Sequence, residues 1–385
     1  MAADAARGRP LRERLWRSPP PAALRAPWLA LAAASCVYAG IIALRARRWR
    51  GRAAHADAPI ISVGNLTVGG NGKTPFTLYL ANLLAARGRR VAILSRGFGG
   101  GGSRRGHATI VADGRRLLAT PAEAGDEPVM MARRFAGPVA IARRRIDGVR
   151  LLMAASAPDA IILDDGFQHL ALARDLDLVL IDAARGFGNG WLLPAGPMRE
   201  RIGALARADA IVLVDRGGES APRAIELRLP PEIPVIRAHL RPCGLLSPGS
   251  AGWREGPLTL AGRRVIAVSG LADPDAFHAA LATLGASVVA TFAFPDHHAY
   301  SRADWKKILA AAGAAEMIVT TAKDLVKLES FAGAAPPLYA LDLEVALDHA
   351  DEARLIALVE ARLDAWRAAR RSVSGRRNGG LPDAD

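Results

Sequence analysis

The chain has 385 residues, with 51 Lys+Arg against 37 Asp+Glu and a formal net charge of +14. That length predicts about two to three domains with ample sequence to bury a core. The charge is mostly arginine gathered near the ends, with no aromatic-interleaved basic stripe, which favours an anionic surface as partner and excludes nucleic acid. Cys36 and Cys243 have neither metal nor disulfide spacing and point to a reduced compartment.

In chain order the first predicted element is a helix over residues 26–44, "APWLALAAASCVYAGIIAL", with no charge in 19 residues. At 1.5 Å per residue it is about 28 Å long, enough to cross a bilayer core. Six arginines precede it and five follow, and Trp28 and Trp49 stand at its ends, where aromatics favour the membrane interface. The competing readings are a buried core helix and a cleavable signal peptide, the latter disfavoured because the segment runs into arginines rather than an A-x-A site. With both flanks basic the orientation stays open, and the expectation is membrane attachment.

From residue 58 short apolar runs alternate with helical stretches. "APIISVG" (58–64), "RVAILS" (90–95), "PVAIA" (138–142), "DAIILDD" (159–165), "LDLVLID" (176–182) and "DAIVLVD" (209–215) read as buried strands, with helices over 75–87, 128–136 and 145–155. This alternation predicts an α/β fold of the P-loop NTPase type, a parallel sheet with helices on both faces. A Pro- and Gly-rich region with weaker strands "AIELRL" and "PVIRAHL" follows. Then βα units resume at 263–271, 286–292, 316–321 and 337–343, and a helix from about Asp351 to Arg371 ends the pattern. The expected organisation is a basic N-terminus with its membrane helix (1–53), a P-loop domain (54–220), a hinge (221–262), a second, smaller α/β domain (263–372) and a disordered tail (373–385).

"LTVGGNGKTP" lies between the first strand and the first helical stretch. Thr67 stands where the phosphate-loop pattern G-x-x-x-x-G-K-[ST] wants its first glycine, yet the strand–loop–helix setting is the one the mechanism requires. Backbone N–H groups of Thr67, Val68, Gly69, Gly70, Asn71, Gly72, Lys73 and Thr74 can turn around a polyphosphate at a helix N-terminus. Lys73 can reach the β- and γ-phosphates, and the Thr74 hydroxyl can ligate Mg²⁺. The bland alternative is a glycine-rich turn with no ligand. A leading lysine at position 68 would mark a nucleotide-bridged dimerising ATPase, and Val68 argues against that class.

Asp164 and Asp165 end a buried strand, where ligands of parallel sheets gather. Two adjacent carboxylates repel unless a cation neutralises them, which points to nucleotide-bound Mg²⁺; a solvated turn is the alternative. "AGDEP" gives Asp126 either a site role or that of a helix N-cap. "FPDHHAY" places Asp296, His297 and His298 in a loop, a weak signal alone. "FGNGWLLPAGPMRE" (187–200), ending in Arg199 and Glu200, is a shaped loop that lines a cleft or merely packs.

Together these stretches resemble the tetraacyldisaccharide 4'-kinases of lipid A biosynthesis. "ISVGNLTVGGNGKTP", "LSRGFGG", "GDEP", "ILDDGFQH", "RDLDLVLIDAARGFGNGWLLPAGPMRE", "SGLADPDAF", "FPDHHAYS" and "TTAKDLVKL" carry the resemblance in order over about 59–328, and threonine at position 67 is part of this family's loop. The resemblance implies transfer of the ATP γ-phosphate, with Mg²⁺, to the 4'-hydroxyl of a tetraacylated glucosamine disaccharide 1-phosphate. It implies Asp126 and His297 as the pair that takes the hydroxyl proton, Lys73 on the phosphate, and Asp164 and Asp165 on the metal. Arg96, Gln168, His169, Arg199 and Glu200 are the candidate contacts to the sugar lipid. The base pair falls on two predicted domains, so closure is expected to assemble it, with His298 an alternative to His297. The implied location is the cytoplasmic side of a bacterial inner membrane, with the acylated disaccharide lipid and the membrane surface as partners and protein partners left open. The other readings are a P-loop kinase of a different membrane lipid or isoprenoid alcohol and a membrane-tethered ATPase switch.

Overall fold

A computed structural model describes residue 16 and residues 25–98, 100–101, 106–217, 225, 228–249, 252–271, 274–333 and 336–378. The basic start before residue 25, Trp16 apart, and the last seven residues of the expected tail lie outside the described residues. Helix α1 (Arg25–Trp49) is followed by strand β1 (Ile60–Asn65) and helix α2 (Lys73–Ala86). Next come β2 (Val91–Ser95), β3 (Thr109–Asp113), α3 (Pro121–Ala124), α4 (Asp126–Arg134), β4 (Pro138–Ile141), α5 (Arg145–Ser156) and β5 (Ala160–Asp164). The chain continues through β6 (Leu176–Asp182), β7 (Ala210–Asp215), β8 (Val235–Gly249), β9 (Gly252–Gly256), β10 (Arg264–Ser269), α6 (Pro274–Thr283) and β11 (Ser287–Ala293). It ends with α7 (Arg302–Ala310), β12 (Met317–Thr321), α8 (Ala322–Leu328), β13 (Leu338–Ala346) and α9 (His349–Asn378). The fold is the expected α/β class with an apolar N-terminal helix.

Two compact units are built from interleaved segments, one from residues 1–73, 165–239 and 347–385, the other from 74–164 and 240–346. Segments that the sequence placed in consecutive domains therefore alternate between them. In the first unit β1 pairs in parallel with β6, β6 with β7, and β7 with the start of β8. Every residue of β1 and β6 is buried, as expected for apolar strands covered on both faces. In the second unit β5, β2 and β4 are parallel neighbours, with β3 added antiparallel at the edge. A further parallel set in that unit runs β11–β10–β12–β13.

Three features depart from the sequence expectation. β3 and β9, five residues each, lie outside the runs expected as strands, yet both pair antiparallel with a neighbouring strand. Arg228 and Leu229 of the expected strand "AIELRL" lie in a turn. Helix α9 runs on to Asn378, into the segment expected as a disordered tail.

Helix α1 is long and apolar enough to cross a membrane by length and composition. Only Ala32 and Ser35 of its 25 residues are buried, so it is not a core helix. One face packs on the 187–200 loop. The Trp28 and Trp191 rings meet edge-on at 5.0 Å, and the Ser35 hydroxyl donates to the Leu192 carbonyl at 2.8 Å while accepting from the Ala195 N–H at 3.0 Å. The opposite face exposes Leu29, Val37, Ile41 and Leu44.

Candidate active site

In the first unit the phosphate loop is sewn to the 187–200 loop by its backbone. The Val68 N–H donates to the Pro197 carbonyl at 2.8 Å, and the Arg199 N–H donates to the Leu66 carbonyl at 2.7 Å. Gly69 and Gly72 have φ of 107° and 78°, left-handed conformations that glycine adopts without strain. The unexpected threonine has a structural role here. Its hydroxyl accepts from the Asn71 amide at 2.7 Å, and its carbonyl accepts from the Asn65 amide at 2.6 Å. Thr67 thus closes the loop on itself through a buried side-chain bond that glycine could not make.

Lys73, 13% exposed, places its ammonium 3.5 Å from Asp165. Arg199 donates to both Asp165 oxygens at 2.9 Å and to the Gln168 side-chain oxygen at 3.3 Å, while the Gln168 amide donates to the Asn65 carbonyl at 2.8 Å. Arg45 at the end of α1 donates to the Gln168 carbonyl at 3.2 Å. The structure therefore brings together Lys73, Asp165, Gln168 and Arg199, four of the residues singled out from sequence, and ties them to the N-terminal helix. Glu200 is different: both its oxygens accept from Arg207, at 3.0 and 3.1 Å, and Arg207 lies 4.4 Å over the Phe167 ring, so Glu200 braces the scaffold. His169 turns the chain, its N–H bonded to the Gly166 carbonyl. Arg96 is exposed beside Ser95.

In the second unit Asp164 is 3% exposed and accepts from the hydroxyls of Thr77 at 3.4 Å and Ser95 at 3.3 Å. Thr74 opens this unit at the first turn of α2. An all-oxygen set of carboxylate and hydroxyls suits a hard cation such as Mg²⁺. Among the described residues there is no cluster of three or more His, Cys, Asp or Glu that could hold a metal by itself. A metal here would complete its shell with phosphate oxygens and water, as Mg²⁺ does in nucleotide sites.

The second unit also holds the proton-transfer candidates. Asp126 is the first residue of α4; Gly125 occupies the cap position and no side chain caps the helix, so the N-cap reading of Asp126 fails. Its carboxylate instead meets His297 Nδ1 at 3.3 Å and the Lys327 ammonium at 3.2 Å. Burial pushes the Asp126 carboxyl up, but the His297 hydrogen bond and the Lys327 charge outweigh it and hold the group down at about 2. The same bond raises the His297 imidazole, against the opposing effects of burial and Lys323. His297 and Asp126 share one compact unit and are already in contact, which corrects the expectation that they lie on separate domains awaiting closure. Their meeting depends on pairings between segments remote in sequence, which local patterns do not encode. His298 is engaged elsewhere, stacked on Phe294 at 4.6 Å and bonded to Asp304 at 3.2 Å.

Two contributors escaped the sequence reading. Phe98 runs close to Gly125, where a Cβ would sit 2.4 Å from the Phe98 carbonyl oxygen, and the Phe98 ring lies 5.3 Å from that of His297. Lys323 and Lys327 of "TTAKDLVKL" stand on α8 four residues apart, one helical turn, so both reach the same site. That spacing was the available signal.

The family described as tetraacyldisaccharide-1-P 4'-kinase (LpxK) matches residues 27–364. A tetraacyldisaccharide 4'-kinase of Anaeromyxobacter sp. (strain Fw109-5) is 47% identical over 305 residues, 76% of this chain and 80% of that protein. One from Geobacter metallireducens is 43% identical over 324 residues, 82% of this chain and 93% of that protein. The crystal structure of LpxK from Aquifex aeolicus in complex with ATP is similar with a TM-score of 0.71 at 33% identity, covering 87% of this chain and 99% of that one. Family match, relatives and structural likeness agree with the motifs, and the chain belongs to the tetraacyldisaccharide 4'-kinase family.

Proposed function

We infer that the protein is an ATP-dependent kinase that phosphorylates the 4'-hydroxyl of a tetraacylated glucosamine disaccharide 1-phosphate. The observation that carries the mechanism is the Asp126–His297 contact. An alcohol is a poor nucleophile, and an imidazole oriented by a carboxylate removes its proton as the new bond forms, typically worth about 10²–10⁴ in rate. Asp126, ionised throughout the physiological range, holds the ring and stabilises the imidazolium that results.

The phosphate loop from Thr67 to Thr74 binds the polyphosphate through backbone N–H groups, and Lys73 places a fixed charge on the transferring group. Asp165 and Arg199 orient Lys73 and the substrate side of the loop, with Gln168, His169 and Arg96 as further substrate contacts. Thr74 and Asp164 would hold Mg²⁺, which when bound neutralises phosphate charge. Because Asp165 is engaged by Lys73 and Arg199, Asp164 is the direct ligand in this reading.

Four acyl chains keep the acceptor in the bilayer, so the enzyme works at the membrane surface on the side that supplies ATP, the cytoplasmic face of a bacterial inner membrane. The exposed face of α1 meets lipid, and the arginines around it attract anionic head groups by about 1 kcal/mol each.

A double-mutant cycle tests the base. Asp126→Ala and His297→Ala each lower kcat strongly with the KM for ATP little changed, and the double variant is barely worse than either single one. Multiplicative losses would mean that the two groups work separately.

A further inference from the structure

We propose that Lys323 is a positioning residue that reserves Nε2 of His297 for the acceptor hydroxyl; the proposal rests on His297 acting as the base. The Lys323 ammonium lies 3.2 Å from Nε2, while Nδ1 faces Asp126 at 3.3 Å. An ammonium has three donors and no acceptor, so the ring nitrogen it touches must present a lone pair. That assigns the single proton of the neutral ring to Nδ1, where it donates to Asp126. Lys323 therefore selects the tautomer in which Nε2 is bare, the form that can take a proton from a hydroxyl.

The surrounding charges show why a cation is needed. Asp126 and Glu127 from α4 and Asp296 from the histidine's own loop all favour a second proton on the ring. Lys323 opposes them at contact distance, and Lys327 is committed to Asp126 at 3.2 Å and Asp324 at 3.1 Å. Without Lys323 the ring would protonate more easily and lose its lone pair.

Lys323 also holds the histidine's backbone indirectly. His297 has φ of 59°, an uncommon conformation for a residue with a side chain, and its N–H donates to Asp296 Oδ1 at 3.0 Å. The same Asp296 oxygen accepts from Lys323 at 2.7 Å, and Glu127 lies 3.6 Å from the ammonium. Lys323 is only 13% exposed, and although burial lowers its pKa, Glu127 and Asp296 more than restore it, so the group stays charged. When the acceptor hydroxyl donates to Nε2, the ammonium yields that one contact and keeps Asp296. The proton then passes from the hydroxyl oxygen to Nε2 as that oxygen bonds the γ-phosphorus of ATP, while the bond from that phosphorus to the bridging oxygen breaks and ADP leaves with the electron pair.

The test is imidazole ¹⁵N NMR of the full-length enzyme together with pH–rate profiles of Lys323→Met and Lys323→Arg. Wild-type His297, when neutral, is expected to carry its proton on Nδ1; finding it on Nε2 overturns the proposal whatever the variants do. In Lys323→Met the acid limb of kcat/KM for the lipid acceptor moves to higher pH, so that activity near pH 6 falls roughly tenfold more than in the alkaline plateau. The KM for ATP stays unchanged, and Lys323→Arg restores much of the limb. A loss that is uniform in pH would make Lys323 a packing residue and overturn the assignment. A His297→Ala enzyme that keeps the wild-type acid limb would instead sink the base reading, leaving the tautomer measurement to stand by itself.

Discussion

Replacing Asp126 by Asn separates charge from shape at the centre of the site. The amide fits the same space beside His297 but lacks the charge that the His297 and Lys327 contacts exploit. The carboxyl is held at about 2 against an ordinary 3.8, a gap equivalent to about 2 kcal/mol of native-state interaction. The group is depressed in the fold, so this stabilisation is present above the unfolded value and is lost as pH falls from about 4 through about 2. Asp126→Asn should therefore be less stable than wild type by about 2 kcal/mol at pH 7, and the difference should vanish toward pH 2. Catalysis should suffer more, with kcat down by about 10²–10⁴ because the imidazolium loses its counter-charge. Urea unfolding across that pH range gives the first quantity, and phosphoryl transfer under saturating ATP gives the second. A variant with normal kcat and a raised KM for ATP would refute the reasoning, since Asp126 would then serve the nucleotide and not the proton.

Lys73→Ala should lose phosphoryl transfer by several orders of magnitude in steady-state assays, because a fixed charge on the transferring phosphate has no substitute; near-normal turnover would place the ATP site elsewhere. Thr67→Val removes the acceptor for the buried Asn71 amide and should cost about 1–3 kcal/mol of stability with weaker ATP binding by calorimetry, whereas unchanged values would mean the loop does not depend on this bond. Deleting residues 1–50 should weaken activity on bilayer substrate far more than nucleotide binding, as read by vesicle co-sedimentation and ATP titration, and a truncated protein that stays on vesicles unimpaired would remove α1 as the anchor.

The parallel strands were legible because buried strands are mostly apolar: β5 and β7 run unbroken to a final aspartate, and β1 and β6 are interrupted inside only at Ser62 and Asp177. The settings of Lys73, Thr74, Asp164 and Asp165 were legible for a related reason, since a strand–loop–helix turn and the end of a buried strand are local patterns. Three-dimensional neighbours were harder. Nothing in the order of residues says that Lys323 touches His297, because packing brings those two segments together; Glu200 pairs with Arg207 only seven residues on, a contact set by the short helical turn between them. Asp126 looked equally like a helix cap until Gly125 was seen in that place. The threonine that broke the loop pattern is explained by one hydrogen bond that only the folded loop reveals.

Mass spectrometry of the purified disaccharide 1-phosphate lipid after incubation with the enzyme, ATP and Mg²⁺ bears most directly on the central claim. The account predicts a mass gain of one phosphoryl group, fragmentation placing it on the 4' oxygen, and ATP consumption that is nearly idle until the lipid is added. ATP hydrolysis that proceeds equally without the lipid, with the lipid recovered unmodified, would contradict it.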